Sequence, residues 1–440
     1  MPRRHPRALL LLPPLLLGAA AALPLHAGPA LDDAVARDEV LERAAWSTVA
    51  PLAPPPGLVF AGGGARPVTP PLIADRLAGR GGVHWQSRTF VHGAWRWQAG
   101  LGWRNGRENS FGLEGSALVY DLGDAAGPSE LYASVQRRHW GPGWAGSLIL
   151  DGAAPAVPAV GWRRPVVQQS ESPWLSWLGP WGADIFVGRL QEHWQPARPT
   201  FIGMRAQLSP SDRLDVGLAR TMQWGGRGRD ESSSSLINAL IGNDNVGFDG
   251  ITAANEPGNQ LAGIDVRWVA DPVRQTSFYL QVVGEDEAGH LPSRNMLLIG
   301  ADTRVPTARG QLRFFAEFAD LLCGRIADDP RPMAAYRHSV FAQGYTQEGF
   351  SLGHAVGGDS RLASAGWLYR TDGWQAMFIA SVGDAEPSAQ FLARGRILGL
   401  NASLQTRLDS MTQLGVNAGW WSDRARRRQA LQIWVRSAVF

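Results

Sequence analysis

The run from Arg394 to Phe440 constrains this chain most, because it alternates apolar and polar residues with a period of two. Between Arg396 and Gln405, one parity carries Leu398, Leu400, Ala402 and Leu404, and the other carries Asn401, Ser403 and Gln405. Such alternation over about ten residues is what a strand needs to face lipid on one side and a polar lumen on the other. Asp409-Ser410 reads as a turn into Met411–Trp421, and Arg424–Arg428 as a charged loop. In the final run Leu431, Ile433, Val435 and Val439 share one parity, while Arg436 and Phe440 share the other. The pattern predicts an all-β chain, a transmembrane antiparallel β-barrel. A terminal aromatic such as Phe440 resembles the assembly signal on the last strand of outer-membrane barrels.

The N-terminus agrees with export. Arg3, Arg4 and Arg7 precede an apolar stretch from Ala8 to Leu23, and Leu25-His26-Ala27 offers a cleavage site. Residues 1–27 therefore read as a secretory signal peptide. Pro13, Pro14 and Pro24 interrupt it and argue against a membrane anchor. After it, no run approaches the roughly 20 apolar residues of a spanning helix. An exported chain of this kind is either soluble or a barrel, the fold that leaves no backbone group unpaired in lipid.

Charge adds an exclusion. The 42 basic and 39 acidic residues leave an excess of three, and the signal peptide alone holds three arginines and no acid. A mature chain close to neutral argues against a nucleic-acid partner. Every basic residue is Arg and none is Lys. A GC-rich genome is the simpler cause, although guanidinium also pairs with carboxylates and sulfates in ways that ammonium cannot. The 52 Gly and 19 Trp suit a curved sheet with interfacial aromatic girdles. Cys323 stands alone, which excludes an internal disulfide and any metal site built from several thiolates.

Leu31–Ala45 has a helical pattern that ends at Pro51 and Pro54-Pro55-Pro56-Gly57, and Pro70–Leu77 could form a second short helix. We expect residues 28–82 to be a periplasmic extension, partly helical, and residues 83–440 to be the outer-membrane β-barrel. Within the latter, Ile202, Met204, Ala206 and Leu208 alternate with Phe201, Gly203, Arg205 and Gln207. The same pattern recurs at Leu131, Ala262–Trp268, Phe278–Val282 and Leu312–Phe318. Tight turns at Ser209-Pro210-Ser211-Asp212 and Ala270-Asp271-Pro272 contrast with long polar loops such as Gly225–Gln260. About 355 residues at roughly 20 per strand give about 16–18 strands. An interior that wide leaves a lumen.

Two blocks go further. The first is Arg137-Arg138-His139-Trp140-Gly141-Pro142-Gly143-Trp144-Ala145-Gly146-Ser147-Leu148-Ile149-Leu150. The second is Gly188-Arg189-Leu190, Gly203-Met204-Arg205 and then Leu214-Asp215-Val216-Gly217-Leu218-Ala219-Arg220-Thr221-Met222-Gln223-Trp224-Gly225-Gly226. In this order they resemble the Wzi family of capsule assembly proteins, over residues 105–230 and more loosely to Phe440. Where relatives often carry Asn-Ala-Arg-Pro, this chain has Asp151-Gly152-Ala153-Ala154-Pro155, so no carbohydrate contact carries over there.

The resemblance implies a lectin-like outer-membrane barrel, exported to the cell surface, that helps assemble or anchor capsular or extracellular polysaccharide. Its surroundings would be outer-membrane lipids, lipopolysaccharide and the barrel assembly machinery. Trp stacks on sugar faces and Arg pairs with acidic sugars, so Trp224, Arg227 and Arg229 are the leading polysaccharide-binding candidates. A girdle Trp before a solvated loop is an equal reading. Arg138 and Trp140, beside His139 and Trp144, and Trp162 and Arg164 are weaker candidates. For the former set the bland reading is a Gly-Pro-Gly turn seated at the membrane interface.

No nucleophile sits in a recognisable elbow, so no catalytic residue is assigned and no cofactor is implied. Asn243-Asp244-Asn245 with Asp249 suggests Ca²⁺ but lacks the spacing of a calcium loop, and no metal site is assigned. The alternative to a polysaccharide-binding barrel is a porin for small anionic solutes whose lumen arginines set its preference.

Overall fold

The computed structural model describes residues 57–64, 81–105, 109–123, 129–152, 154–169, 173–190, 196–241, 252, 256, 258–285, 287–288, 291–292, 294–324, 334–386, 394–424 and 427–437. The signal peptide, both expected N-terminal helices, Asn243–Asp249 and Phe440 lie outside them.

The main sheet has 21 segments. Three pairs of these are single runs with an interruption, which leaves eighteen staves. They are β1 (Gly57–Gly64), β2 (Gly81–Gln86 with Phe90–His92), β3 (Trp95–Gln98 with Gly100–Asn105) and β4 (Asn109–Gly112 with Ala117–Asp121). Next come β5 (Glu130–Ser134), β6 (Ala159–Gln169), β7 (Pro180–Arg189), β8 (Thr200–Ser211), β9 (Leu214–Trp224) and β10 (Gly258–Asp271). The circuit continues with β11 (Thr276–Gly284), β12 (Asn295–Thr307), β13 (Gly310–Gly324), β14 (Ser360–Arg370) and β15 (Trp374–Ala385). It ends with β16 (Gly395–Arg407), β17 (Thr412–Ser422) and β18 (Arg427–Ser437). Each stave is antiparallel to its sequence neighbours, and β1 also pairs with β18, Leu58 opposite Ser437 and Gly64 opposite Leu431. The pairings return to their start, so the sheet is a closed barrel without a free edge.

That closure corrects the expected boundary at residue 82. Gly57–Gly64 lies in the wall, with Gly57 on the end where β18 finishes. Tight turns cluster at this end: Ser211 opposite Leu214, Thr307 opposite Gly310, and Asp271 opposite Thr276. Long connections leave the other end. Barrels of this kind put short turns in the periplasm and long loops outside.

The period-two alternation sorts residues as expected. Leu218, Ile264, Trp268, Phe278, Ile299, Phe314, Leu398, Leu400, Leu404 and Ile433 are exposed on the outer face. In water such a belt would be a liability; in lipid it is the favourable solvent contact. Trp268 stacks with Phe278 at 6.1 Å and Tyr369 packs on Trp374 at 5.0 Å, both pairs beside short turns, as a girdle requires. Arg436, on the opposite parity from Leu431, Ile433 and Val435, is buried, with its guanidinium 5.4 Å from the Trp434 ring.

The interior departs from expectation. Two segments fold into the lumen from the long-loop end. The first connects β5 to β6, and every residue from Arg138 to Asp151 is buried. The second, residues 334–359, connects β13 to β14 and packs against it. Tyr336 Oη donates to the Leu148 carbonyl at 2.7 Å and Tyr345 Oη to the Ile149 carbonyl at 2.8 Å. Trp140, Trp144, Leu148 and Ile149 pack with inward Phe186, Phe201, Leu298 and Phe315 in one apolar core. Inward Gly203 makes room for it, because a Cβ there would lie 2.2 Å from Phe186 and 2.9 Å from Trp140.

Candidate functional site

The Gly-Pro-Gly turn is therefore not at the membrane interface but inside the barrel, as a plug held by wall carboxamides and carboxylates. Glu317 of β13 accepts the Trp144 amide and, at 3.0 Å, the Ala145 amide. Gln281 of β11 accepts the Leu148 amide at 2.8 Å and donates to the Trp140 carbonyl at 2.8 Å. A non-repetitive backbone segment in an apolar core needs such partners for its polar groups.

This segment contains two of the candidates. Trp140 has no exposed surface, and Arg138 is 6% exposed. Arg138 lies 4.1 Å from the Phe186 ring centroid, donates to Tyr132 Oη at 3.0 Å and pairs with Asp184 at 3.5 Å. The cavity beside it measures about 20 Å³, room for a water and not a sugar ring. His139 and Trp144 are buried in the same plug.

Trp162 and Arg164 sit elsewhere. Trp162 pairs laterally with exposed Leu131 and Ile185, so it belongs to the lipid-facing parity. Arg164 lies further toward the short-turn end of β6, with its guanidinium 3.9 Å from the Trp181 ring and Nη1 donating to the Trp181 carbonyl at 2.5 Å. A lipid-facing Arg near an interface is held this way by aromatic cover and carbonyl oxygens.

Trp224, Arg227 and Arg229 come together at the long-loop rim, though not as one surface. The loop after β9 carries a helix, α1 (Ser233–Leu240), within the stretch that the sequence reads as a long polar loop. Ser232 caps it by accepting the Ser235 amide, the ordinary use of Ser at an N-cap. The helix folds back onto the outer face of the wall, and Ala239 packs on Ile202 and Met222 with Trp224 and Leu240 alongside. Trp224 is half-buried under α1, and its Nε1 donates to Ser235 at 3.2 Å. Arg229 donates to the Glu256 carbonyl. Arg227 is exposed, and its side chain has no ion-pair or hydrogen-bond partner among the described residues.

Sequence reasoning missed what holds α1: Arg220 and Gln260. Arg220 Nη1 donates to the Leu240 carbonyl at 2.7 Å and Nη2 to that of Ala239 at 3.0 Å. Gln260 Nε2 donates to the Ala239 carbonyl at 2.7 Å. A cation at a helix C-terminus meets the unpaired carbonyls and the negative end of the dipole. The available signal was that both residues occupy the lipid-facing parity of β9 and β10, where a bare polar group would be costly.

Glu231 organises the loop before α1. It accepts the Gly226 amide at 3.0 Å and Arg189 Nη1 at 3.1 Å. The Gly226 amide, followed by Arg189, holds its carboxyl below the ordinary value of 4.5. A depressed carboxylate stabilises the fold above its unfolded pKa, and that contribution fades as pH falls through the folded one. Hydrogen exchange at Gly226, corrected for intrinsic rate, should therefore stay protected at pH 7 and lose protection below about pH 4.5. Glu231→Gln should remove that pH dependence. A wild-type amide whose protection does not change across the acid range would show that the carboxylate does not hold the turn.

A closed, lipid-belted barrel with a plug folded in from its loop end defines an outer-membrane β-barrel. The chain belongs to the family described as capsule assembly protein Wzi, whose model matches residues 85–427. A Klebsiella pneumoniae protein, described as an uncharacterized 55.8 kDa protein in the cps region, is 38% identical over 183 residues. That match covers 41% of this chain and 35% of the relative, so the chain spans about a third of the curated protein's length. The solved structure of Escherichia coli Wzi, described as a carbohydrate-binding β-barrel of the outer membrane involved in group 1 capsule assembly, has the same fold. It aligns with a TM-score of 0.73 at 22% identity, covering 92% of this chain and 87% of that one.

Proposed function

We propose that this barrel holds capsular or extracellular polysaccharide at the cell surface by binding it, without catalysis. The observation that carries the reading is the exposed, unpaired Arg227 on a loop ordered by Glu231 at the long-loop rim, in a chain of this family. The plug residues and Trp224 support the rim structurally, so polymer contact rests on Arg227 with Arg229 beside it. Lipids and lipopolysaccharide would surround the belt, and the assembly machinery would read the strand that leads to Phe440.

The porin alternative loses part of its motive. Its anion preference needed free lumen arginines, whereas Arg205 pairs with Asp265 through two bonds of 2.8 and 2.9 Å, and Arg163 with Glu130. The half-exposed inward residues Asn401, Ser403, Asn417 and Gln432 leave room for a neutral passage.

Replacing Arg227 and Arg229 with Ala should release polymer into the medium while the barrel stays folded, since Arg227 is exposed and the half-buried Arg229 donates to the rim-loop carbonyl of Glu256, outside the strand ladder. Binding of an acidic polymer to purified protein should weaken as the Debye length falls below about 8 Å. An unchanged cell-bound fraction in the double variant, at normal protein level, would remove this loop from the site. Unchanged retention after gene deletion would remove the reading itself.

A further inference from the structure

One lateral row on the outer face runs Val160, Val187, Ile202, Met222 and Gln260 across β6 to β10. Val160 and Val187 are 58% and 45% exposed, as lipid-facing residues are. Ile202, Met222 and Gln260 stand at the same height but are 8%, 1% and 7% exposed, because α1 covers them. The helix therefore occupies space that lipid occupies one stave away, at the top of the belt. Its wall side carries Ser235, Leu236, Ala239 and Leu240. Its far side presents Ile237 and, just past its end, Ile241, each 56% exposed and one turn apart.

A basic rim adjoins the start of α1, since Arg189 pairs with Glu231 one residue before the Ser232 cap. Arg189 ends β7 on the outward parity, two residues above lipid-facing Val187, and donates to the Arg198 carbonyl at 2.9 Å. Arg227 N donates to the adjacent Ala197 carbonyl at 2.9 Å, which ties both loops together. Among the described residues the nearby acids are engaged: Glu231 with Arg189 and Gly226, Asp230 with the Ser232 amide and hydroxyl at 2.9 Å, and Glu256 with His338 at 3.3 Å. Arg198 is exposed and has no side-chain partner among the described residues.

We propose that α1 and residues 196–199, between β7 and β8, form a seat for a phosphorylated glycolipid of the outer leaflet, with acyl chains against Ile237 and Ile241 and a phosphate on Arg198. The pairing follows from charge and from continuity with the belt. An anionic amphiphile matches an apolar face at membrane height joined to an unneutralised guanidinium at the rim. The seat is independent of the polysaccharide reading, which uses Arg227 and Arg229.

The test uses full-length protein in phosphatidylcholine nanodiscs, with retained lipid measured by native mass spectrometry and no polysaccharide present. The probes are bis-phosphorylated lipid A and the same lipid dephosphorylated. Unaltered protein should hold the phosphorylated form more tightly, and Arg198→Gln should weaken that binding about fivefold without affecting the dephosphorylated lipid. Ile237→Ser with Ile241→Ser should weaken both forms about tenfold, with heat-modifiable migration unchanged. Equal retention of the two lipids by unaltered protein, a comparison that needs no variant, would overturn the proposal. So would displacement of the phosphorylated lipid by millimolar inorganic phosphate, which would mark a free-anion site.

Discussion

Replacing residues 138–151 with a short Gly/Ser linker should raise single-channel conductance in planar bilayers several-fold over the unaltered protein. Barrels of sixteen to eighteen strands have interiors too wide for wall side chains to fill, so whatever closes them must be folded in. Here that material is an apolar segment whose exposed equivalent could not be tolerated in a water-filled pore. Its removal leaves the ladder between neighbouring staves untouched, because β5 and β6 already pair directly through Ala159 opposite Ser134. Strand content and heat-modifiable migration should persist. A milder variant, Glu317→Ala, removes the acceptor for the Trp144 and Ala145 amides and should give flickering openings rather than a steady pore. An unchanged conductance in the deletion, with the barrel folded, would mean that the first segment is not the barrier and that residues 334–359 suffice.

Asp302→Ala should destabilise the barrel by about 3–5 kcal/mol, read as a lower midpoint in urea by gel migration. Asp302 is fully buried in its side chain and serves three donors. Arg267 reaches it at 3.2 Å, Arg313 pairs with it, and Trp144 Nε1 donates to it at 3.2 Å. Removing the shared carboxylate strips two guanidinium groups of their counter-charge where water cannot easily compensate, and loosens the plug at the same time. Asp302→Asn keeps an acceptor for the indole and should cost less. A loss below about 1 kcal/mol would show that water reaches the cluster and that these pairs behave as surface pairs do.

The face of each strand was legible in the sequence because backbone pleating forces side chains to alternate, whatever the rest of the chain does. Leu398, Leu400 and Leu404 could be assigned to lipid, and Asn401 and Ser403 to the interior, from parity alone. The strand count of about 16–18 and the family blocks were likewise readable. What parity cannot say is what lies against a face.

Trp140 and Trp144 look like interfacial aromatics by composition, and only contacts such as Glu317 with Trp144, 173 residues apart, place them in a plug. Trp224 reads equally well as a sugar platform. Its burial depends on α1, whose own stability comes from Arg220 and Gln260 on two neighbouring staves. Local periodicity thus determined the barrel, its lipid belt and its polar lining, since those follow from a two-residue repeat. Tertiary structure alone decided which parts of that lining and belt are covered, because covering them joins groups from distant strands that no local pattern records.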